Sequence, residues 1–260
     1  MTSTASLLCL SPSSVAPPPR RGKSPKRVCA KCIIAHILDI PTSVAVLKRD
    51  SRFARLIKTH GVPNLRPGLP PAGGHFQALV RSIIYQQISG RAAETILSRF
   101  IALFPRTKSP TPKAVQKMPL GKMRAAGLSG QKTSYIKDLA GKFSDGTIRH
   151  RLLHRMTSAE ITEHLVQVKG IGVWTVHMFL IFTLNRPDVL PTGDLGIQKG
   201  FQIIYGLKSL PSHATMERLA KNWRAHASVA SWYLWRAADS ARLKAKPKEG
   251  EASASGRRKI

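Results

Sequence analysis

The stretch VKGIGVWTVHMF, residues 168–179, sets two glycines one residue apart before an apolar run, and PTGDLG follows at 191–196. Glycine permits positive φ angles and a close approach of the backbone to a ligand. A helix that begins after such a turn has unpaired N–H groups in its first turn, and these can bind a phosphate without any side chain. The alternative interpretation is a tight helix–helix turn that binds nothing.

Asp194 is the carboxylate in the second stretch, and it stands where a helix is predicted to begin. An aspartate at that place is a favoured N-cap, because its side chain accepts the free N–H groups of the first turn. The same carboxylate could instead stand at the mouth of a cleft, beside the phosphate-binding turn. Local chemistry alone favours the cap.

The charge balance predicts a polyanionic partner. The 260 residues contain 42 Lys and Arg against 13 Asp and Glu, a formal net charge of +29. A nucleic-acid backbone is the obvious partner, because each phosphate that is bound releases counterions. Cationic tails on a neutral core explain only part of the excess, since the middle of the chain is basic too. No apolar run reaches the roughly eighteen residues of a membrane helix, so we expect no membrane partner.

The chain has only three cysteines, Cys9, Cys29 and Cys32, and all lie near the N-terminus. This number excludes a disulfide framework. Cys29 and Cys32 form a CAKC pair with His36 nearby, but no fourth ligand follows at a spacing typical of zinc sites. We interpret the pair as incidental, or at most as a weak metal binder.

The composition divides the chain into three parts. Residues 1–41 are rich in Pro, Ser, Lys and Arg and are predicted to be a disordered basic leader, which could serve targeting, nuclear import or contact with phosphates. Residues 241–260 are predicted to be a disordered basic tail. The folded body, 42–240, is expected to be all-α or nearly so, with a helical hairpin at 157–184. The only strand pattern is SVAVL, at 43–47.

Apolar residues recur with the helical period throughout the body. The pattern over 76–104 predicts a helix that Gly90 interrupts, and a Thr157-x-x-Glu160 capping box predicts another helix start. Further helices are predicted at 111–118, 130–143, 157–167, 173–184, 195–205 and 214–234.

The run L-x-x-V-K-G-I-G-V-W-T-V followed by V-L-P-T-G-D-L-G resembles the helix-hairpin-helix (HhH-GPD) superfamily of DNA glycosylases. Three more blocks are similar to that family in the same order, at 75–96 (HFQALVRSIIYQQISGRAAETI), 127–140 (GLSGQKTSYIKDLA) and 223–236 (WRAHASVASWYLWR). The strongest likeness is to the alkylation-repair branch, the 3-methyladenine DNA glycosylases II. The resemblance implies two helical lobes flanking a cleft.

The resemblance also implies an activity: the protein would flip alkylated bases out of DNA and hydrolyse their N-glycosidic bond, which initiates base excision repair. Relatives with an iron–sulfur cluster carry four C-terminal cysteines, and this chain has none after Cys32, so no cluster is expected. Trp174 stands where the strand-cleaving relatives carry a lysine, which implies a monofunctional enzyme. The alternatives are a non-catalytic DNA-binding protein and a glycosylase for another base lesion.

By resemblance, Asp194 is the catalytic acid. It would either stabilise the positive charge that develops on the deoxyribose or orient a water for attack. The base pocket is assigned to Trp174, Trp235 and Tyr85, whose rings would attract a cationic alkylated purine. The alternative for each tryptophan is ordinary core packing.

The DNA contacts are assigned by resemblance as well. Gln87 would wedge into the space that the flipped base leaves, although a solvent-facing glutamine explains the sequence equally well. The hairpin would bind a monovalent cation through backbone carbonyls. Phosphate contacts are assigned to Gly170, Gly172, Thr175 and Lys169, and the cation to the carbonyls of Val166, Val168 and Ile171.

The implied partner is double-stranded DNA with damaged bases, bound by a monomer. In a eukaryote the protein would act in the nucleus, and otherwise in the cytoplasm or nucleoid. One block departs from the family pattern W-x-P-x-R-S, because Ala225 and Ala227 replace its proline and arginine. We expect these replacements to weaken DNA affinity or to loosen the start of the last helix.

Overall fold

The structure, a computed structural model, describes residues 38–65, 74–105, 107 and 109–245, and within these ranges it contains helices and turns but no strand. The leader as far as residue 37, with all three cysteines, and the tail from residue 246 lie outside the described residues. The helices are α1 Ile40–Leu47, α2 Ser51–His60, α3 Gly74–Tyr85, α4 Gly90–Ala102, α5 Pro112–Lys117, α6 Leu120–Ala125, α7 Gly130–Ser144, α8 Ser158–Leu165, α9 Val173–Phe182, α10 Leu195–Tyr205, α11 His213–Ala220 and α12 Ala227–Ala245.

Two further elements are 3-10 helices, His150–Arg155 and Lys221–His226. The second one separates α11 from α12, so the predicted helix at 214–234 is two helices. The break lies at Trp223, whose backbone angles (φ −128°, ψ 16°) are not helical. Trp223 is buried and stacks on Phe201, and this packing holds the kink in place.

The helices form two lobes, which confirms the predicted architecture. In the first lobe, α1 and α2 from the start of the chain pack with α10, α11 and α12 from its end. In the second lobe, α3 to α7 pack together and α9 joins them against α3 and α8. A continuous hydrophobic core runs through both lobes. The chain therefore leaves the first lobe after α2 and returns to it through residues 183–194, which lead to Asp194.

Polar N-caps explain why most helices begin where they do, because a side-chain oxygen satisfies a free N–H group of the first turn. The capping box predicted at Thr157 and Glu160 is present, with both reciprocal hydrogen bonds. Side-chain caps of this kind are made by Asp39, Asp50, Ser89, Thr111, Ser129, Thr157, Asp194 and Ser212.

The strand pattern at 43–47 does not form a strand, because these residues belong to α1. Asp39 caps this helix by accepting the N–H of Thr42, and a proline lies in its first turn. Val44 and Leu47 are buried on one side of the helix. Local capping and core packing thus outweigh the β-propensity of the valines.

The folded body is longer at both ends than the predicted range of 42–240. Leu38 is buried, and its N–H donates a hydrogen bond to the carbonyl of Asn185. At the other end, α12 continues to Ala245. None of the helices in the described part of the chain is long and apolar enough to cross a membrane.

Candidate active site

Asp194 is the N-cap of α10 in the structure. Its Oδ1 accepts a hydrogen bond of 2.9 Å from the N–H of Ile197, which is the interpretation that local chemistry favoured. The carboxylate is nevertheless only half-buried, so capping does not remove it from the surface. The two alternatives drawn from the sequence are therefore compatible.

Two indole rings hold the same carboxylate. Trp174 Nε1 donates to Asp194 Oδ2 at 2.6 Å, and Trp235 Nε1 donates to Oδ1 at 2.9 Å. Trp174 comes from α9 in the second lobe, whereas Trp235 comes from α12 in the first lobe. Since each carboxylate oxygen accepts at least one charge-assisted hydrogen bond, the carboxylate has a fixed position where the lobes meet.

A third aromatic ring lies next to one of the two indoles that contact the carboxylate. Half of the Trp174 side chain is exposed (50%), and so is half of Phe182 (51%), at the end of the same helix. Phe182 lies almost parallel to Trp235, with ring centroids 6.1 Å apart and planes inclined by 21°. Three aromatic rings are thus available to a flat ligand near Asp194.

Phe182 was not predicted from the sequence as a site residue. It lies at the end of the run VWTVHMFLIF, which is apolar on every side of α9. Helical periodicity identifies a buried face only where polar residues occupy the opposite face. The sequence nevertheless held one indication that Phe182 could belong to the site: it is aromatic and lies on the same helix as Trp174.

Two glycines allow α10 to come close to α12. A Cβ at Gly196 would lie 2.8 Å from the Trp235 ring and 3.0 Å from the Asp194 carboxylate. One turn later, a Cβ at Gly200 would lie 2.5 Å from the backbone oxygen of Leu234. The absence of these side chains is what lets the indole of Trp235 reach the carboxylate.

Tyr85, the third residue predicted for the base pocket, contacts Glu94 and Arg81 rather than Asp194 or the tryptophans. Its hydroxyl donates to the Glu94 carboxylate, and the guanidinium of Arg81 lies 4.2 Å from the centre of its ring. Tyr85 therefore belongs to the corner between α3 and α4. Its proposed part in the base pocket receives no support from these contacts.

The predicted hairpin consists of α8, a glycine turn and α9. Gly170 has φ +78°, and a Cβ there would lie 2.0 Å from the ring of Tyr135. Gly172 is exposed, and α9 has no side-chain cap, so its first N–H groups remain available to an anion. Lys169 is exposed, and its backbone N–H donates to Asp138 Oδ2 at 2.8 Å. Tyr135 and Asp138 thus hold the turn on its protein side, while Gly172 and Lys169 face solvent.

Thr175 has a different environment from the one expected. It is 4% exposed, and its hydroxyl lies 3.4 Å from Gln86 Nε2, which also donates to the carbonyl of Gly170 at 2.9 Å. These contacts do not support the direct phosphate contact predicted for Thr175, because its hydroxyl faces the protein. Gln86 is a residue that the sequence analysis missed, and it holds the hairpin turn. Its neighbour Gln87 is exposed, as a wedge must be.

The segment that leads to Asp194 is anchored by Ser228, in the first turn of α12. The Ser228 hydroxyl donates to the carbonyl of Arg186 at 2.5 Å and accepts the N–H of Val189 at 3.1 Å. Ala227, where the family has an arginine, is completely buried. The start of α12 is thus held by Ser228 and by core packing.

We expect Ser228→Ala to lower the free energy of unfolding by about 1–3 kcal/mol, because a buried N–H and a buried carbonyl both lose their partner. Denaturant unfolding measures this loss. Ser231→Ala is the matched control, since this buried hydroxyl donates a longer bond, 3.4 Å, to the carbonyl of Val189. Equal losses in the two variants would contradict the special role of Ser228.

Comparison with known proteins agrees with this geometry. Residues 80–225 match the family of HhH-GPD superfamily base excision DNA repair proteins. The chain is 34% identical to DNA-3-methyladenine glycosylase 1 of Schizosaccharomyces pombe over 189 residues, which are 72% of this chain and 82% of the relative. It is 30% identical to the putative DNA-3-methyladenine glycosylase YfjP of Bacillus subtilis over 210 residues, 78% of this chain and 69% of the relative.

Solved structures are similar as well. The S. pombe 3-methyladenine DNA glycosylase Mag1 in complex with abasic DNA aligns with a TM-score of 0.65 and 33% identity, covering 75% of this chain and 95% of that one. A DNA-3-methyladenine glycosidase from Bacillus halodurans aligns with a TM-score of 0.68 and 31% identity, covering 79% and 93%. From the hairpin, the carboxylate and these likenesses together, we conclude that the chain belongs to the HhH-GPD superfamily of base excision DNA repair proteins.

Proposed function

We propose that this protein is a monofunctional DNA glycosylase that excises alkylated purines, of the 3-methyladenine and 7-methylguanine type. One observation carries the proposal: the Asp194 carboxylate is held by Trp174 and Trp235 where the two lobes meet. The relatives named above are 3-methyladenine glycosylases by name, and the chain shares their fold. The site supplies the two features that this chemistry needs, a fixed negative charge and aromatic rings.

Binding begins at the hairpin. The uncapped N-terminus of α9 and the open surface at Gly172 can receive a backbone phosphate, with Lys169 adding a positive charge. The exposed Gln87 fills the gap in the base stack when the damaged nucleotide turns outward. Flipping costs a few kcal/mol, and these contacts on the distorted backbone offset that cost.

The flipped base is recognised by the aromatic rings near Asp194. An alkylated purine is cationic, so the face of an indole attracts it by roughly 0.5–2 kcal/mol more than a neutral base. Trp174 and Phe182 are half-exposed and can present their rings to such a base, and Trp235 stacks beside Phe182. Part of the selectivity comes from the lesion itself, because a cationic base is a good leaving group.

Asp194 acts when the glycosidic bond breaks and positive charge develops at C1′ of the sugar. Its two oxygens accept hydrogen bonds from Trp174, Trp235 and the N–H of Ile197. These donors hold the carboxylate in one orientation, so no reorganisation is needed when the charge appears. This arrangement favours electrostatic stabilisation over proton abstraction from the attacking water.

The product is an intact abasic site. Cleavage of the strand through a Schiff base requires an amine in place of Trp174, and an indole has no nucleophilic amine. We therefore expect that DNA treated with the protein breaks only after alkali and heat are applied.

The hairpin turn also offers neutral oxygen donors to a monovalent cation, the carbonyls of Val166, Val168 and Ile171. Backbone carbonyls suit such an ion. The carbonyl of Val168 already accepts the N–H of Ile171 at 3.0 Å, and its second lone pair remains for a cation. A bound cation would add positive charge beside the phosphate. No iron–sulfur cluster is part of the proposal.

The substrate is double-stranded DNA, and the net charge of +29 suits long-range attraction to it. We propose that the protein acts as a monomer, since Asp194, Trp174 and Trp235 come together within one chain and need no residue of a second copy. In a eukaryotic cell, the proposed substrate places its action in the nucleus.

Duplex oligonucleotides that each contain a single lesion test this proposal. The series includes 3-methyladenine, 7-methylguanine, hypoxanthine, ethenoadenine, an oxidised base and a mismatch. We expect abasic sites in the duplexes with alkylated purines. Excision of only the oxidised or mismatched base would indicate a glycosylase for another lesion. Binding of every duplex without any abasic site would indicate a non-catalytic DNA-binding protein.

A further inference from the structure

Helix α7 contacts both the hairpin turn, which is proposed to bind a DNA phosphate, and the end of α3, which leads to Gln87. Lys132, Tyr135 and Asp138 follow one another at intervals of three residues along this helix. Each of them contacts either the hairpin turn or the end of α3. None of the three is accounted for by the chemistry at Asp194.

Lys132 holds the C-terminal end of α3. Its ammonium group donates to the carbonyls of Ile84 and Gln86, both at 2.7 Å. The last carbonyls of a helix have no partner within the helix, so a cation at this end is favourable. Lys132 is half-buried, and desolvation lowers its pKa. Bonds made in such a partly dry environment are stronger than those at an open surface.

The same helix end carries Gln86 and Gln87, whose side chains have different environments. Gln86 reaches the carbonyl of Gly170 with its side chain, whereas Gln87 adopts a positive φ of 58° and points into solvent. A non-glycine residue with this backbone angle is strained and depends on its surroundings. The carbonyl that Lys132 binds belongs to Gln86, directly before the strained residue.

The other two residues of α7 support the hairpin turn itself. The ring of Tyr135 packs beneath Gly170, and Asp138 accepts the backbone N–H of Lys169 at 2.8 Å. One rigid helix therefore supports the phosphate-binding turn and the end of α3 at the same time.

We propose that Lys132 is a positioning residue for base flipping. It fixes the distance between Gln87 and the phosphate-binding hairpin through the carbonyl of Gln86, without touching the DNA base or sugar. This inference rests on the proposed function, because it takes Gln87 to be the residue that enters the stack.

The chain contains a matched control on the same helix. Lys137 is also half-buried, desolvation lowers its pKa too, and its ammonium group donates to the carbonyls of Gln116 and Met118 at 2.6 Å each. It thus makes the same two bonds at the end of α5. The end of α5 leads neither to Gln87 nor to the hairpin turn.

The experiment compares full-length Lys132→Met and Lys137→Met with the unchanged protein. Methionine keeps the apolar stem and removes the charge. Three quantities are measured: the melting temperature, the single-turnover excision rate, and the fluorescence of 2-aminopurine placed next to a damaged nucleotide. The damaged nucleotide in this duplex carries a 2′-fluorinated sugar that resists excision, so the fluorescence rises only when the neighbouring base leaves the stack.

We expect similar decreases in melting temperature for both variants, since each loses two charged hydrogen bonds. Only Lys132→Met should lose the fluorescence rise, and its excision rate should fall by about tenfold to a hundredfold, as expected for a misplaced contact. Lys132→Arg, which keeps the charge and the donors, should recover part of both.

Equal fluorescence and excision in Lys132→Met and Lys137→Met would overturn the inference, whatever their stability. The inference is also overturned if the unchanged protein does not raise the 2-aminopurine fluorescence. A third outcome separates the inference from the proposed function. If the fluorescence rises with the unchanged protein and with Lys137→Met but not with Lys132→Met, the inference is supported. If none of these three proteins excises a base in the single-turnover measurement, the proposed function is contradicted.

Discussion

Replacing Asp194 by asparagine is expected to slow the excision of an alkylated purine by about 10²–10³-fold, the usual effect of removing one fixed electrostatic group. The variant keeps a helix cap, because an asparagine oxygen can still accept the N–H of Ile197. Its amide nitrogen, however, is a donor and cannot accept the indole N–H that the replaced oxygen accepted. Single-turnover excision of 7-methylguanine measures the effect.

DNA affinity serves as the control for this variant. The loss of a negative charge next to the phosphate backbone should leave binding unchanged or tighten it. Asp188→Asn is the matched control, since the Asp188 carboxylate accepts a hydrogen bond from the Ser158 hydroxyl and not from either tryptophan. Preserved turnover in Asp194→Asn, or an equal loss in Asp188→Asn, would mean that the catalytic acid is wrongly assigned.

Replacement of the two hairpin glycines by alanine should destabilise the protein to very different extents. Gly170→Ala places a Cβ at φ +78° and 2.0 Å from the Tyr135 ring, so we expect a loss of about 2–4 kcal/mol in the free energy of unfolding. Gly172→Ala meets no atom within 4 Å and should cost no more than about 1 kcal/mol. Denaturant unfolding distinguishes them.

DNA binding by Gly172→Ala then isolates the role of the hairpin. Its new methyl group lies on the exposed side of the turn and hinders the close approach of a phosphate to the N–H groups of α9. We expect affinity for duplex DNA to fall by about tenfold or more, the value of a lost charged hydrogen bond. A stable Gly172→Ala protein with unchanged affinity would contradict phosphate binding at this turn.

Local patterns predicted most of the helices, because their signals lie within a few residues of each other. The capping box at Thr157 is such a signal. An interruption was predicted at Gly90, but the helix breaks at residues 86–89 and Gly90 is the first residue of α4. The strand pattern of β-branched residues within α1 was also a local signal, but the cap at Asp39 determined a helix there. The kink at Trp223 could not be predicted, because it depends on packing against the distant Phe201.

The site was only partly predictable for a related reason. Resemblance identified Asp194, Trp174 and Trp235 one at a time, but their hydrogen bonds join residues that are 20 and 41 positions apart. Likewise, two adjacent glutamines look equivalent in sequence. The end of α3 turns Gln86 towards the hairpin and Gln87 towards solvent, and only tertiary structure determines this difference.

In the proposed mechanism, Asp194 faces the cationic sugar of a flipped nucleotide. The most direct test compares the affinities for two duplexes, one with a cationic pyrrolidine in place of the damaged nucleotide and one with a neutral tetrahydrofuran. The unchanged protein should bind the cationic duplex at least about tenfold more tightly, since it resembles the charged transition state. In Asp194→Asn this preference should disappear. A preference of the same size in the variant, or none in the unchanged protein, would contradict the account.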